Sequence, residues 1–209
     1  MKKLIRGIVE FHENRREDFA ETFSQLALGQ HPDALFIVCS DSRVAVNVFA
    51  STDPGDLFVL RNIGNVVPPP GDPGGTGAAA AISFALDQLR VRDIVICGHS
   101  DCGAIRAHCH GRENLPEGPL KAWLEIGTKE LPLGLDPAET SRRNVLLQIE
   151  HLKSYPAVEQ AMARGDLSLH GLWFDIRQAD VLYYEKEPDR WTVLDGVSGR
   201  RILGRLETR

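Results

Sequence analysis

No apolar run in this chain approaches the ~18 residues needed to cross a bilayer, and no internal repeat or low-complexity linker interrupts it. The first residues, Met1-Lys2-Lys3-Leu4-Ile5, are basic, but acidic and polar residues follow where a signal peptide would place its apolar stretch. Positive charge is also short. The formal net charge is −5 and the basic residues are scattered, so there is no footprint for nucleic acid. Cysteine is limited to four residues with no C-x-x-C pair, which excludes a thioredoxin-like redox motif and argues against a disulfide framework. The glycine-rich stretch Gly74–Ala79 lacks the Lys-Ser/Thr that a phosphate-binding loop needs; close helix packing is the expected use of those glycines. The chain is therefore expected to be a single cytoplasmic domain, with 209 residues and 43% hydrophobic content to build a full core.

What is present alternates helix and strand. Leu4, Ile8, Phe11, Phe19, Phe23 and Leu26 fit an amphipathic helical arm over residues 4–28, broken near Asn14. Apolar runs at 34–38, 57–61 and 94–98 read as buried strands of a mostly parallel sheet. Gly74–Leu89 starts glycine-rich and ends as a helix, and a helix is expected after Cys102. A long helix is expected over 140–164, interrupted near Pro156, with Val145, Ile149 and Leu152 on one stripe. Strands at 167–175 and 180–185 follow, the second antiparallel because its connection is short. Residues 195–209 read as a solvated tail or a last strand. The expected class is α/β: a central, mostly parallel sheet flanked by helices, with an N-terminal helical arm.

Two of those strands run directly into chemistry. The first leads into Cys39-Ser40-Asp41-Ser42-Arg43 and the second into His99-Ser100-Asp101-Cys102-Gly103. In an open α/β sheet, ligands bind at the carboxyl ends of the strands. Cys39, His99 and Cys102 form a Cys₂His set, a mixture that suits zinc, and three protein ligands leave the fourth tetrahedral position open as in catalytic sites. Cys97, inside a strand, and Cys109, inside a helix, fit such a site poorly. Three plainer readings compete: ordinary buried thiols, a cysteine phosphatase, and a redox pair. The phosphatase reading needs an arginine six residues after its cysteine, where Ala45 stands. Asp41 and Arg43 are spaced to form an ion pair that keeps the carboxylate ionised and fixed in direction. Such a carboxylate could orient a zinc-bound water, swing in as a fourth ligand, or serve only as a loop ion pair.

C-x-D-x-R after one strand and H-x-x-C-G after another resemble the β-class carbonic anhydrases. The similarity extends to Gly29-Gln30-His31-Pro32, Pro54-Gly55-Asp56, Arg61-Asn62-Ile63-Gly64-Asn65, Gly74–Ala79 and His170-Gly171, across about residues 1–185. It implies one Zn²⁺ per subunit on Cys39, His99 and Cys102, with Asp41 and Arg43 as an orienting dyad. It also implies that Gln30 donates a hydrogen bond to substrate oxygen and that Phe58, Ile63, Phe84 and Gly103 form substrate-binding positions. On sequence alone Phe58, Ile63 and Phe84 read as core residues. Phe84 falls where some relatives carry tyrosine.

The implied reaction is reversible hydration of carbon dioxide to bicarbonate and a proton by zinc-bound hydroxide. Zinc lowers the pKa of bound water from about 15.7 to roughly 7. Thiolates donate more charge than imidazoles, so activity is expected to be higher at mildly alkaline pH. No proton shuttle stands out; His108 and His110 read as surface groups. Some relatives close when bicarbonate binds beside the site and the aspartate ligates zinc. Of the tryptophan, arginine and tyrosine used there, only Arg61 is matched; Phe36 and Phe174 take the aromatic places and cannot donate a hydrogen bond. An open site with Asp41 paired to Arg43 is expected. The resemblance further implies an obligate homodimer or larger homo-oligomer gripped by the arm, with Gln30 and Phe58 serving the neighbour's zinc. Rival functions are hydrolysis of carbonyl sulfide or carbon disulfide on the same scaffold, and a non-catalytic zinc-binding assembly module of the kind a carbon-fixing compartment could use. Residues 195–209 are a further candidate partner-binding stretch.

Overall fold

The computed structural model describes residues 1–207. Six strands form one sheet in the order β2-β1-β3-β4-β5-β6: β1 (Ala34–Cys39), β2 (Leu57–Asn62), β3 (Asp93–His99), β4 (Ser168–Asp175), β5 (Asp180–Glu185) and β6 (Arg190–Val193). The first four are parallel and the last two antiparallel, so the expected α/β class and the reversal at β5 are both found. β1 is buried at all six positions, as a central strand covered on both faces must be. β2 was expected to be buried and is not. It lies at the sheet edge with only one strand neighbour, and Val59 is exposed.

The alternation of side chains divides the core. Leu35, Ile37, Ile94, Ile96 and Trp173 face one side, where Val145, Ile149 and Leu152 of the helix Pro137–Lys153 (α7) cover them. Phe36, Val38, Cys97 and Phe174 face the other, against Val44 and Val46. Gly98 permits the close approach of α7, because a Cβ there would meet Val145 at 2.7 Å and Trp173 at 3.1 Å.

The helices are α1 (Lys2–Glu10), α2 (Arg16–Leu26), α3 (Val46–Phe49), α4 (Thr76–Phe84), α5 (Gly103–Cys109), α6 (Pro119–Thr128), α7 (Pro137–Lys153), α8 (Pro156–Ala163) and α9 (Ser198–Leu206). The break expected near Asn14 is a single π-type turn, Phe11–Arg15. The long helix begins before residue 140 because Asp136 caps it, accepting from the N–H groups of Ala138 and Glu139 ahead of Pro137. Pro156 then starts α8, since a proline fits the first helical turn but not an interior. Among the described residues no helix is long and apolar enough to cross a membrane.

The stretch expected to be a tail or last strand is instead helix α9; Thr208 and Arg209 lie outside the described residues. An apolar pattern alone could not show this: α9 buries Ile202, but its arginines converge on one carboxylate. Glu185, its side chain 2% exposed, accepts from Arg201 at 2.5 and 2.8 Å, Arg205 at 2.8 Å, Arg190 at 3.3 Å and Thr192 at 2.6 Å. Arg201 above all, then Thr192, holds the Glu185 carboxyl well below the usual range. A depressed folded-state pKa contributes stability above the unfolded value and loses it as pH falls through the folded one. Glu185→Gln is expected to cost about 1–3 kcal/mol, read as a lower urea midpoint with faster proteolysis of α9. High salt should narrow the gap between variant and parent.

Candidate metal centre

Adjacent parallel strands deliver the two motifs to one level. Val38 is in register with Cys97, so Cys39 emerges from β1 beside Gly98, one residue before His99 ends β3. Past His99 the chain turns sharply, with Asp101 at φ +53°, and Cys102 becomes the extended residue that precedes α5. The donor atoms of Cys39, His99 and Cys102 all lie within 4.8 Å of one another and all three residues are buried.

His99 shows what this cluster is built to accept. Its Nδ1 lies 2.9 Å from the Ser100 carbonyl, which can only accept, so Nδ1 carries the proton and Nε2 is left with a lone pair. Nε2 is buried with no hydrogen-bond partner. A lone pair so placed is costly unless something electrophilic fills the gap. Two sulfurs and an imidazole nitrogen fit zinc, and the nearby carboxylate is already engaged by an arginine. The Cys39 thiol is drawn down by hydrogen bonding from Cys102, helped by the N–H groups of Gly64 and Asp41. Cys102, sharing its proton with that sulfur in a buried setting, is pushed up.

Asp41 stands just beyond. Its Oδ1 accepts from the Arg43 backbone N–H and Nε, both at 3.0 Å, and its Oδ2 from Nη2 at 2.8 Å. Arg43 thus holds the carboxyl far below its ordinary range. The same Nη2 donates to the Asp101 carbonyl at 3.2 Å, tying the first loop to the second. Arg61 donates to the carbonyls of Cys39 at 2.9 Å and Val44 at 2.8 Å, bracing the loop that carries Asp41. Phe36 and Phe174 are buried in one apolar cluster, and Phe49 stacks on Phe174 at 4.7 Å.

The outer positions are less gathered. Gln30 and Gly103 are exposed. Ile63 and Phe84 were expected in the core but are 45% and 43% exposed, because each sits on the outer surface of a site loop or helix. Phe58 is partly buried against the core, with Phe84 at 5.6 Å. His108, read as a surface group, is fully buried, with its Nδ1 3.3 Å from Thr128 Oγ1; burial lowers its pKa. His110 is exposed and bonded to the Arg106 carbonyl at 2.7 Å.

The sequence reading missed a row of supporting residues. Ser141 donates to the His99 carbonyl at 2.8 Å and Asn144 to the Gly64 carbonyl at 3.0 Å. Gln148 accepts from the Val67 N–H at 2.7 Å and donates to the Gly127 carbonyl at 2.9 Å, and His151 bonds the Val67 carbonyl at 2.7 Å. All four are buried on α7. Their 3-4-3 spacing is helical, but beside the apolar stripe it is visible only once the loops they hold are known.

Fold and cluster together define an α/β protein with a thiolate–imidazole donor set at the carboxyl edge of its sheet. Comparison with known proteins narrows that class. The carbonic anhydrase family matches residues 34–181. A carbonic anhydrase of Synechocystis sp. is 40% identical over 196 residues, covering 88% of this chain and 71% of that protein. One from Pseudomonas aeruginosa is 36% identical over 213 residues, covering 97% and 91%. The structure of the β-carbonic anhydrase CcaA is similar with a TM-score of 0.83 at 37% identity, covering 92% of this chain and 98% of that one. A tetrameric β-carbonic anhydrase of Sordaria macrospora follows at a TM-score of 0.66 and 31% identity, covering 87% and 92%. The chain belongs to the β-class carbonic anhydrases, and carbonic anhydrase activity is the function these relatives support.

Proposed function

We propose that this chain hydrates carbon dioxide reversibly to bicarbonate and a proton, with one zinc ion held by Cys39, His99 and Cys102. The observation that carries the reading is the buried, unpartnered Nε2 of His99 within the three-donor cluster. Zinc bound there supplies a Lewis acid that makes water nucleophilic near neutral pH. The protein's part is orientation. Asp41 Oδ1 takes two hydrogen bonds and Oδ2 only one, so Oδ2 keeps a lone pair that can accept a hydrogen bond from the attacking water or hydroxide and aim its oxygen. Arg43 keeps that carboxylate ionised and stops it from turning. Gln30 would offer its amide N–H to a substrate oxygen, Gly103 would border the same space, and Phe58, Ile63 and Phe84 would keep it dry.

The exposed positions of Gln30, Ile63 and Phe84 suit a site completed by a second copy of the chain. Supporting this, neither α1 nor α2 buries a single residue, and Leu4, Ile5, Ile8 and Phe23 are all about half exposed or more. An arm with such an apolar stripe needs a surface to cover, and we assign it to a homodimer or larger homo-oligomer. Ile8→Asp is expected to shift the protein to a smaller species in light scattering at micromolar concentration; an unchanged mass would count against the arm.

The direct test of function is stopped-flow carbon dioxide hydration by protein stripped of metal and then reloaded with zinc. Activity should vanish on stripping and return in proportion to zinc bound. Zinc-loaded protein that stays inactive from pH 6.5 to 9 would overturn the assignment.

A further inference from the structure

The loop Asn62–Val66 reaches the metal centre at Cys39 and carries an unusual hydrogen-bond sequence. The Gly64 N–H donates to Cys39 Sγ at 3.4 Å. The carbonyl of the same peptide unit, that of Ile63, accepts from Trp123 Nε1 at 2.8 Å. One peptide group therefore joins an indole N–H on α6 to a sulfur of the candidate zinc site. We propose that Trp123 is a positioning residue for the carbonic anhydrase reaction, acting on Cys39 through the Ile63–Gly64 peptide. The inference rests on the reading of Cys39 as a zinc ligand.

Three observations make the relay more than a chance contact. Gly64 is buried at φ +80°, and a Cβ there would lie 2.9 Å from the Ala104 Cβ; the position is restricted to glycine so that the backbone can come this close. The loop is pinned on both flanks. Asn62 donates to the Val66 carbonyl and accepts from its N–H, each at 2.8 Å, and Asn144 holds the Gly64 carbonyl at 3.0 Å. Trp123 itself packs into the apolar cluster containing Cys39 and Cys102, so its indole is fixed relative to both sulfurs.

The chemistry follows from polarisation. A donor on a peptide carbonyl strengthens the N–H at the other end of that peptide. An N–H directed at a thiolate withdraws charge from the sulfur, which then donates less to a metal and leaves it more electrophilic. Two thiolates make a centre poorer in Lewis acidity than imidazoles would. The relay offsets part of that at Cys39.

The test uses cobalt(II) in place of zinc, reading the thiolate-to-metal absorption of the full-length protein. Trp123→Phe keeps the ring and removes the donor. Its band is expected at lower energy than the parent's, because the sulfur is more electron-rich. Leu147→Ala removes packing from the same cluster without touching the relay and should leave the band in place. An unmoved band in Trp123→Phe overturns the proposal, as does an equal shift in both variants. Cys39→Ser separates the underlying reading: a band identical to the parent's would mean Cys39 is no ligand at all, whereas a changed band with Trp123→Phe unmoved defeats the relay alone. If Trp123→Phe does not fold, the parent protein decides the matter. Loaded with cadmium-113 and labelled with nitrogen-15, it should show scalar coupling between the Gly64 amide proton and the metal; absence of that coupling overturns the relay.

Discussion

His99→Ala is expected to lower carbon dioxide hydration by about 10³-fold or more, the largest effect of any single change considered. His99 is fully buried, and its Nδ1 bond to the Ser100 carbonyl leaves Nε2 as the only nitrogen able to coordinate. Alanine removes that donor and leaves two sulfurs, too few for a stable zinc site. Zinc per chain should fall well below one by elemental analysis while far-ultraviolet circular dichroism stays native. The backbone bonds at this position, from Ser141 to the His99 carbonyl and from the Ser100 N–H to the Phe174 carbonyl at 2.9 Å, do not depend on the imidazole. A variant that retained both zinc and activity would remove His99 from the site.

Asp41→Asn should leave zinc in place and still cost about 10²–10³ in kcat, with KM little changed. The amide matches the carboxylate in shape but lacks its charge, and it must present an N–H₂ either to Arg43 or to the attacking water. Arg43→Ala is expected to cost a similar amount, and the double variant scarcely more, because the two side chains act as one unit. A strictly additive double variant would show that they work separately. The pH sign is also set. Arg43 depresses the Asp41 carboxyl, so Asp41 is ionised above that lowered value and any stability it contributes is lost only as pH falls through it. Activity changes between pH 6.5 and 9 therefore belong to other groups, and the profile of Asp41→Asn should keep the parent's shape at lower height.

Much of this was legible before any coordinates, and the reason lies in particular residues. Buried strands are short apolar runs, and the runs before Cys39 and His99 are among the clearest in the chain. Placing both at the carboxyl edge of a parallel sheet was enough to bring their donors together. The helix breaks at Asn14 and Pro156 could be read because local chemistry decides them. The unread parts depend on long-range partners. α9 is held by Glu185, a residue sixteen positions before Arg201, and nothing in either residue's surroundings announces the pairing. Trp123 looks like an ordinary apolar residue until its indole is seen on the Ile63 carbonyl. His108 carries a polar ring into full burial, which composition argues against and α5 packing imposes. Ile63 and Phe84 erred the other way: apolar character alone cannot tell a residue that fills a core from one left on the surface.

The row of polar side chains on α7 has a mechanical consequence. Ser141 holds the strand end bearing His99, Asn144 the glycine that faces Cys39, and Gln148 and His151 the segment that follows it. Loops usually open independently and at little cost, but these two hang from a single buried helix. Neither can swing away without stripping partners from α7, and α7 cannot shift without disturbing both. The centre is thereby coupled into one cooperative unit with the core, so it opens with the core or stays closed.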